Sequence, residues 1–458
     1  MWYAHLARSC ALTVITLTAL LPYTPTQANQ DLSRLAFHPV PLDHQSPALA
    51  PIPITTADPP RPAEDTILHE QAGTEARDGA AYAAEIAAVM AQEGPYALPL
   101  SELSHAHGQW LQQAGDPEAA LEAFQRSMHV LRVNLGPYSP EQIPVMRAIV
   151  NAHLALGNLD AANDIEEALF NLRYRHEGTG SSGAASALIE WADWNMNFYL
   201  LAPQSSAFLT GDPGSATREP RLDRAYRAYA DAVVALQQQG HLDDDRLYTT
   251  ERKLATLSFI SNQRLQRAYG TPHHFFSVFA NERDLEQAKA LERANTTYFL
   301  AGRSALQRAL AYSYDAPEPE YDHIAKLMME LGDWYLLFDQ RSNALDIYAD
   351  AQELLQATQL SEADVARIMT PGMPVRTPIA AYLEQEAPDA FAGFIDVEFE
   401  LSRFGKAHNP QVITSNNADQ DIERELLRTI RNCRFRPMIV AGNAVKAEKM
   451  QLRYYYSL

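Results

Sequence analysis

The residues best able to do chemistry in this chain stand apart from one another. His273-His274, in the run TPHHFF, is the nearest approach to a metal-ligand pair. Neighbouring side chains on a helix face different ways, and no second pair follows to complete a tetrahedral site. Cys433 is flanked by Arg431, Arg434 and Arg436. If the thiol is exposed, those cations lower its pKa and activate it. The competing reading buries it beside Phe435, where it closes an apolar helix face. Asp243-Asp244-Asp245 lacks the ligand spacing of a calcium loop. It fits the first turn of a helix, where carboxylates offset the dipole. Gly178–Gly183 (GTGSSG) could cradle an anion or be a plain loop, and Gly211–Glu219 reads as another loop or break. The chain has no HExxH, GxSxG or GxxxxGK[ST]. No catalytic, cofactor-binding or metal-ligating residue is assigned, and the chain is read as a non-enzyme.

The elements around these residues point elsewhere. The 458 residues suit two or three domains. Lys and Arg number 37 against 57 Asp and Glu, a formal charge of -20. Such a surface repels phosphate and argues against a nucleic-acid partner. Residues 1–28 read as an export signal: Arg8, the apolar run Ala11–Tyr23, then Thr26-Gln27-Ala28 as the cleavage site. The run is short for a membrane span, which needs about 20 residues. The expectation is a periplasmic protein with no membrane insertion after cleavage. An uncleaved N-terminal anchor is the alternative. Cleavage removes Cys10 and leaves Cys433 without a disulfide partner.

Residues 29–79 are proline-rich. Pro39, Pro41, Pro47, Pro51 and Pro53 leave no room for a helix or a sheet interior. The segment is read as a stiff spacer, the alternative being an arm lying on the following domain. Residues 80–372 carry helical periodicity. Leu103, His107, Gly108 and Leu111 open one helix, and Gly115 ends it. Ala120, Phe124 and Ser127 line the next. Met146, Ile149, Val150 and His153, then Gly157, then Ala162, Glu166 and Leu169 repeat the pattern. Met328, Leu331, Gly332, Tyr335, Ala344, Tyr348 and Ala351 give it a third time. Small Gly108 and Ala120 let paired helices approach, and Phe124 fills the space between pairs.

This spacing resembles tetratricopeptide repeats. The copies starting near Ser101 and Ile143 are 42 residues apart, longer than the usual period of about 34. The extra length in LRVNLGPYSPEQ resembles the long-helix repeats of kinesin light chains. The resemblance implies a helical superhelix that binds protein. Tyr298, Phe299, Tyr312 and Tyr314 are candidates to line its groove or to fill its core. Arg126, Arg147, Asn151 and Asn158 are its candidate partner-binding residues.

In 373–458 the period changes to two. Phe394, Asp396, Glu398 and Glu400 face one way and Ile395, Val397, Phe399 and Leu401 the other. Gln411–Thr414 reads as a second strand. Ile422, Leu426, Leu427 and Ile430 form the inner face of a helix. A strand approached through Arg434–Val440, a turn at Gly442 and a last strand at Ala447–Tyr456 complete the set. GFIDVEFEL, CRFRP and the final KMQLRYYY resemble the C-terminal domain of TonB, a periplasmic energy-coupling protein. That implies a small α+β fold that binds extended polypeptide, with an envelope or outer-membrane protein as the partner. The exposed edge expected to take a peptide strand is Glu448–Tyr456, with Met450 and Arg453 as its binding residues. The whole chain is thus read as mainly α, a repeat array followed by a small α+β module. It would be a periplasmic scaffold or adaptor, or, with an uncleaved anchor, an energy transducer of the TonB class.

Overall fold

The computed structural model describes residues 36–41, 79–201, 213–240, 244–269, 282–358, 360–375, 391–440 and 442–457. The fold is mainly α, a tandem-helix region followed by a small mixed α/β domain. The export signal, most of the proline-rich segment and His273-His274 lie outside the described residues. Two compact units divide the chain: Gln45–Trp191, and Met1–His44 with Ala192–Leu458.

In the first unit, α1 (Gly79–Glu93), α2 (Pro99–Gln113), α3 (Pro117–Leu135), α4 (Ile143–Ala155) and α5 (Leu159–Glu177) each pack on the next. Pro117 stands at the first position of α3, where its missing N–H costs no bond, and the Asp116 carboxylate accepts from Ala119 N–H at 3.0 Å. Gly115 and Gly157 turn the chain with φ +82° and +73°. A methyl group on Gly108 would sit 2.5 Å from the Phe124 ring. The bare backbone of α2 is therefore the seat of that ring, which is fully buried. Met128, Val145, Met146, Ile149 and Leu169 complete this core. The extra length between the two pairs is half helix, since α3 runs on to Leu135. The turn after it is organised by buried Gln142, which donates to Gly136 O at 2.9 Å and accepts from Arg132 Nε at 3.1 Å. Gly178–Gly183 ends in the cap of α6 (Ser182–Leu201), with Ser181 Oγ accepting from Ala184 N–H at 2.9 Å.

The second unit carries α7 (Pro213–Gln238), α8 (Asp245–Tyr269), α9 (Glu282–Asp315), α10 (Tyr321–Leu337), α11 (Arg341–Ala357) and α12 (Glu362–Met369). α7 corrects the expected break at Gly211–Glu219. Proline is tolerated at a first helical position, and the Ala, Arg and Glu that follow favour helix. Asp244 caps α8 by accepting from Arg246 N–H at 2.9 Å, the helix-start role expected of the acidic run. Gly332 of α10 repeats the device of Gly108, its backbone lying against the buried ring of Tyr348 on α11. The turn between these two helices uses Asp339 at φ +58° in place of glycine. Trp334 and Tyr335 are buried, and Phe299 packs on Tyr335 and Phe338 at 5.7 and 5.4 Å. Those aromatics are helix packing.

The C-terminal module contains β2 (Gly393–Leu401), β3 (Ala407–Asn416), α13 (Gln420–Asn432), β4 (Met438–Val440), β5 (Asn443–Val445) and β6 (Ala447–Ser457). The period-two reading holds on β2: Ile395, Val397, Phe399 and Leu401 are buried. They meet Ile422, Leu426 and Ile430 of α13 and Leu452, Tyr454 and Tyr456 of β6. Leu427 is only partly buried against the same core. β4 and β5 pair with each other in a separate hairpin. The main sheet takes its fourth strand from far upstream: β1 (Ala36–Pro41), in the order β1-β6-β2-β3. Two sequence expectations are corrected here. These six proline-bearing residues are a sheet strand on the C-terminal module, neither spacer nor arm on the repeats. The last strand is also not an edge, because β1 lies on its outer side. Proline is compatible with an edge strand whose N–H side faces away from the sheet.

Candidate protein-binding surfaces

β6 lies between β1 and β2 in the main sheet. Along a strand the N–H and C=O of one residue share a side, and sides alternate. Tyr456 C=O accepts from Ala392 N–H at 2.8 Å, on the β2 side. Tyr454 and Leu452 therefore also turn to β2, and Arg453, Tyr455 and Ser457 turn their backbone groups to β1. The register sets Val40 opposite Arg453, His38 opposite Tyr455 and Ala36 opposite Ser457. Pro39 and Pro41 fall opposite Tyr454 and Leu452, at the positions where no N–H is required. β1 thus has its donors where β6 needs them, and two of its outward positions have none. A strand built this way ends a sheet. The opposite edge, β3, is interrupted by register shifts against β2 and contains Pro410 after Asn409 at φ +50°.

The two edge residues proposed from sequence sit differently. Met450 has the same parity as Leu452, so its backbone turns to β2, and its side chain lies against Gly372. Arg453 turns its backbone outward, but its side chain is committed. Its Nε and Nη2 donate to the two carboxylate oxygens of Asp396 at 2.7 and 2.9 Å, and the guanidinium lies 4.0 Å from the centre of the Phe394 ring. Its hydrogen bond with Asp396 raises the pKa of an arginine already charged at any working pH. Asp396 itself is buried, although β2's alternation places it on the solvent side.

CRFRP is divided by the same alternation. Cys433 and Phe435 enter the module's core. Arg434 and Arg436 point to the last helix pair. The Arg436 Nε donates to Asp333 Oδ1 and Oδ2 at 2.9 and 3.2 Å, and Nη2 donates to Oδ2 at 2.6 Å. Nη1 reaches Thr370 Oγ1. Tyr348 O–H donates to the same Asp333 at 2.6 Å. Burial opposes the Arg436 charge, but the Asp333 carboxylate more than offsets it and raises the pKa. Burial, and then Asp333, pushes the Tyr348 phenol well above its ordinary range. Arg434 bonds Asp339 at 2.9 Å, and Gln352 donates to Ile439 O at 3.2 Å. The backbone of Arg436 donates to Met373 O at 2.9 Å and accepts from Gly372 at 2.8 Å. Cys433 is buried in the module's core, and two of its neighbouring arginines are turned to carboxylates on α10 and in the α10–α11 turn. Sequence reading missed this joint. Nothing in the sequence pairs Asp333 with a residue 103 positions away.

In the first unit Arg126, Arg147, Asn151 and Asn158 are all exposed. Arg147 and Asn151 share a face of α4, one turn apart. Arg126 is on α3, and Asn158 precedes α5 without a side-chain cap bond. Arg147 donates to Glu190 at 2.7 Å, and Arg173 bonds the same carboxylate. Burial opposes the Glu190 charge, and the two arginines reverse it and lower its pKa. Glu166 nearby is raised by burial. Among the described residues no group of three or more His, Cys, Asp or Glu could hold a metal, and no helix is long and apolar enough to cross a membrane.

No protein-family model matches this chain. No curated protein matches it either. Two solved structures of a kinesin light chain with nearly identical TPR-like repeats, from Podosopora anserina, align at 13% and 14% identity. They cover 59% of this chain and 99% and 100% of their own, each with a TM-score of 0.35. BtubC (BKLC) from P. vanneervenii aligns at 13% identity over 68% of this chain and 92% of its own, with a TM-score of 0.33. At those TM-scores the likeness carries no functional argument.

Proposed function

We propose that this protein is a non-catalytic adaptor of the bacterial envelope. Its helix pairs hold one protein, and its C-terminal module takes an extended segment of polypeptide along the outer side of β6. The observation that carries the reading is β6 itself: a regular strand whose outer backbone groups accept another extended segment in antiparallel register. The order β2, β3, α13, the β4–β5 hairpin and β6 supports the resemblance to the TonB C-terminal domain. The exposed polar residues Arg126, Arg147, Asn151 and Asn158 are assigned to the repeat surface, with Arg147 already drawn to Glu190. Export by residues 1–28 places the adaptor in the periplasm, with an envelope or outer-membrane protein as partner.

The test is in-cell crosslinking of the full chain in a Gram-negative host, with fractionation and N-terminal sequencing. Soluble protein starting near Asn29 and crosslinked to an envelope protein is the expected result, and Arg147→Glu should lower the yield of that crosslink. Intact Met1 in the inner membrane would replace the adaptor reading with that of a TonB-class transducer.

A further inference from the structure

We propose that Ala36–Pro41 is a resident strand that keeps the β6 acceptor edge closed, and that an incoming extended peptide binds by displacing it. The proposal rests on the reading of the module as a peptide binder and names how that site is regulated. Three observations carry it. First, β1 is outermost in the sheet, so its departure leaves the β6–β2 and β2–β3 ladders whole. Secondly, among the described residues the β1 ladder spans six pairs, Ala36–Pro41 on Leu452–Ser457, while β6 has eleven residues from Ala447 to Ser457. An incoming strand that matches more of β6 forms a longer ladder than these six pairs. Thirdly, β1 is joined to the module only through the long chain between Pro41 and Gly393. It holds the edge as a tethered ligand, by local concentration, and a free peptide competes with it on those terms.

The prolines make β1 suited to closing the edge. Pro39 and Pro41 sit where a donor is not needed on the β6 side and remove the donors that would recruit another strand outside. A closed sheet is thus protected from pairing with a second copy, and an opened one offers Arg453, Tyr455 and Ser457. The ligand is therefore an extended peptide with free backbone N–H groups at alternate positions. Its recognition is by main chain, with side chains secondary.

The test uses the full chain and a labelled peptide copying residues 35–42 as the probe. The apparent affinity of a site filled by its own strand falls with the fraction that is open. His38→Pro with Val40→Pro removes two donors from β1 without touching the module. This variant should bind the probe at least about tenfold more tightly than the unaltered chain. Pro39→Ala with Pro41→Ala changes only outward positions and should leave binding as it was. The same probe with prolines at its own His38 and Val40 positions should not bind. Hydrogen exchange at the Arg453, Tyr455 and Ser457 amides separates the two ways to fail. If these amides are unprotected in the unaltered chain, β1 does not close the edge and the proposal falls. If they are protected, become exposed in the proline variant, and the probe still does not bind, β6 is no acceptor and the binding function itself falls. If their protection rises with protein concentration together with dimer in sedimentation, the strand comes from a second copy and self-closure is overturned.

Discussion

Arg436→Ala should loosen the last helix pair and the C-terminal module together. The substitution removes three hydrogen bonds to the Asp333 carboxylate and leaves it with Tyr348 alone. The side chains of Arg436 and Asp333 are 21% and 10% exposed, so solvent screens the pair little. Removing one partner of such a pair costs about 3–5 kcal/mol, most of it from the charge left buried. Asp333→Ala should cost a similar amount, since it strands the Arg436 cation. The double substitution removes both charges and should fall short of the sum by roughly 0.5–3 kcal/mol. Tyr348→Phe loses one bond to an ionised acceptor, about 1.5–3 kcal/mol. A chain of several cooperative parts does not unfold in one step. The assay is therefore native-state hydrogen exchange, read separately on the amides of α10 and α13. Both helices should lose protection in step. An Arg436→Ala loss under about 1 kcal/mol, or single effects that add without shortfall, would refute the reasoning.

Two further outcomes follow from the first unit. Gly108→Ala drives a methyl group into the Phe124 ring, 2.5 Å away, and that ring is fully buried. It should destabilise the α2–α3 pair by about 1–3 kcal/mol, and unchanged hydrogen-exchange protection of the α2 and α3 amides would contradict that. His105 is held below the ordinary histidine range by burial, and His107 by burial and then the charge of Arg126. Each therefore binds a proton more readily when unfolded. Stability should be full above the unfolded pKa of about 6.5 and fall as pH drops below it. Replacing both with Gln should flatten the pH dependence of the local stability of α2, read by native-state hydrogen exchange between pH 8 and pH 5, and equal slopes would count against it.

Most of the local structure was legible in the sequence, the start of α7 and the strand β1 being the exceptions. A helix needs apolar residues three and four apart, a strand needs them two apart, and both patterns are written in neighbouring residues. Small Gly108 and Ala120 were legible as the close approach of one helix pair, but Phe124 was assigned to the space between pairs, and the structure seats its ring on Gly108 within the pair. The inward face of β2 and most of that of α13 were legible from those patterns. Tertiary structure decided what lies beside each element. Backbone pairing has no side-chain code, so nothing in AFHPVP names Arg453, Tyr455 and Ser457 as its partners, and its prolines argue for a spacer until the open side of a sheet is known. From sequence the arginines around Cys433 left two readings, an activated thiol or one buried beside Phe435. Only the place of α10 shows that Arg436 is paired with Asp333, and the packing of β2, α13 and β6 encloses the thiol. Charges and strand edges act through space, and their meaning depends on which distant segment the fold brings to them.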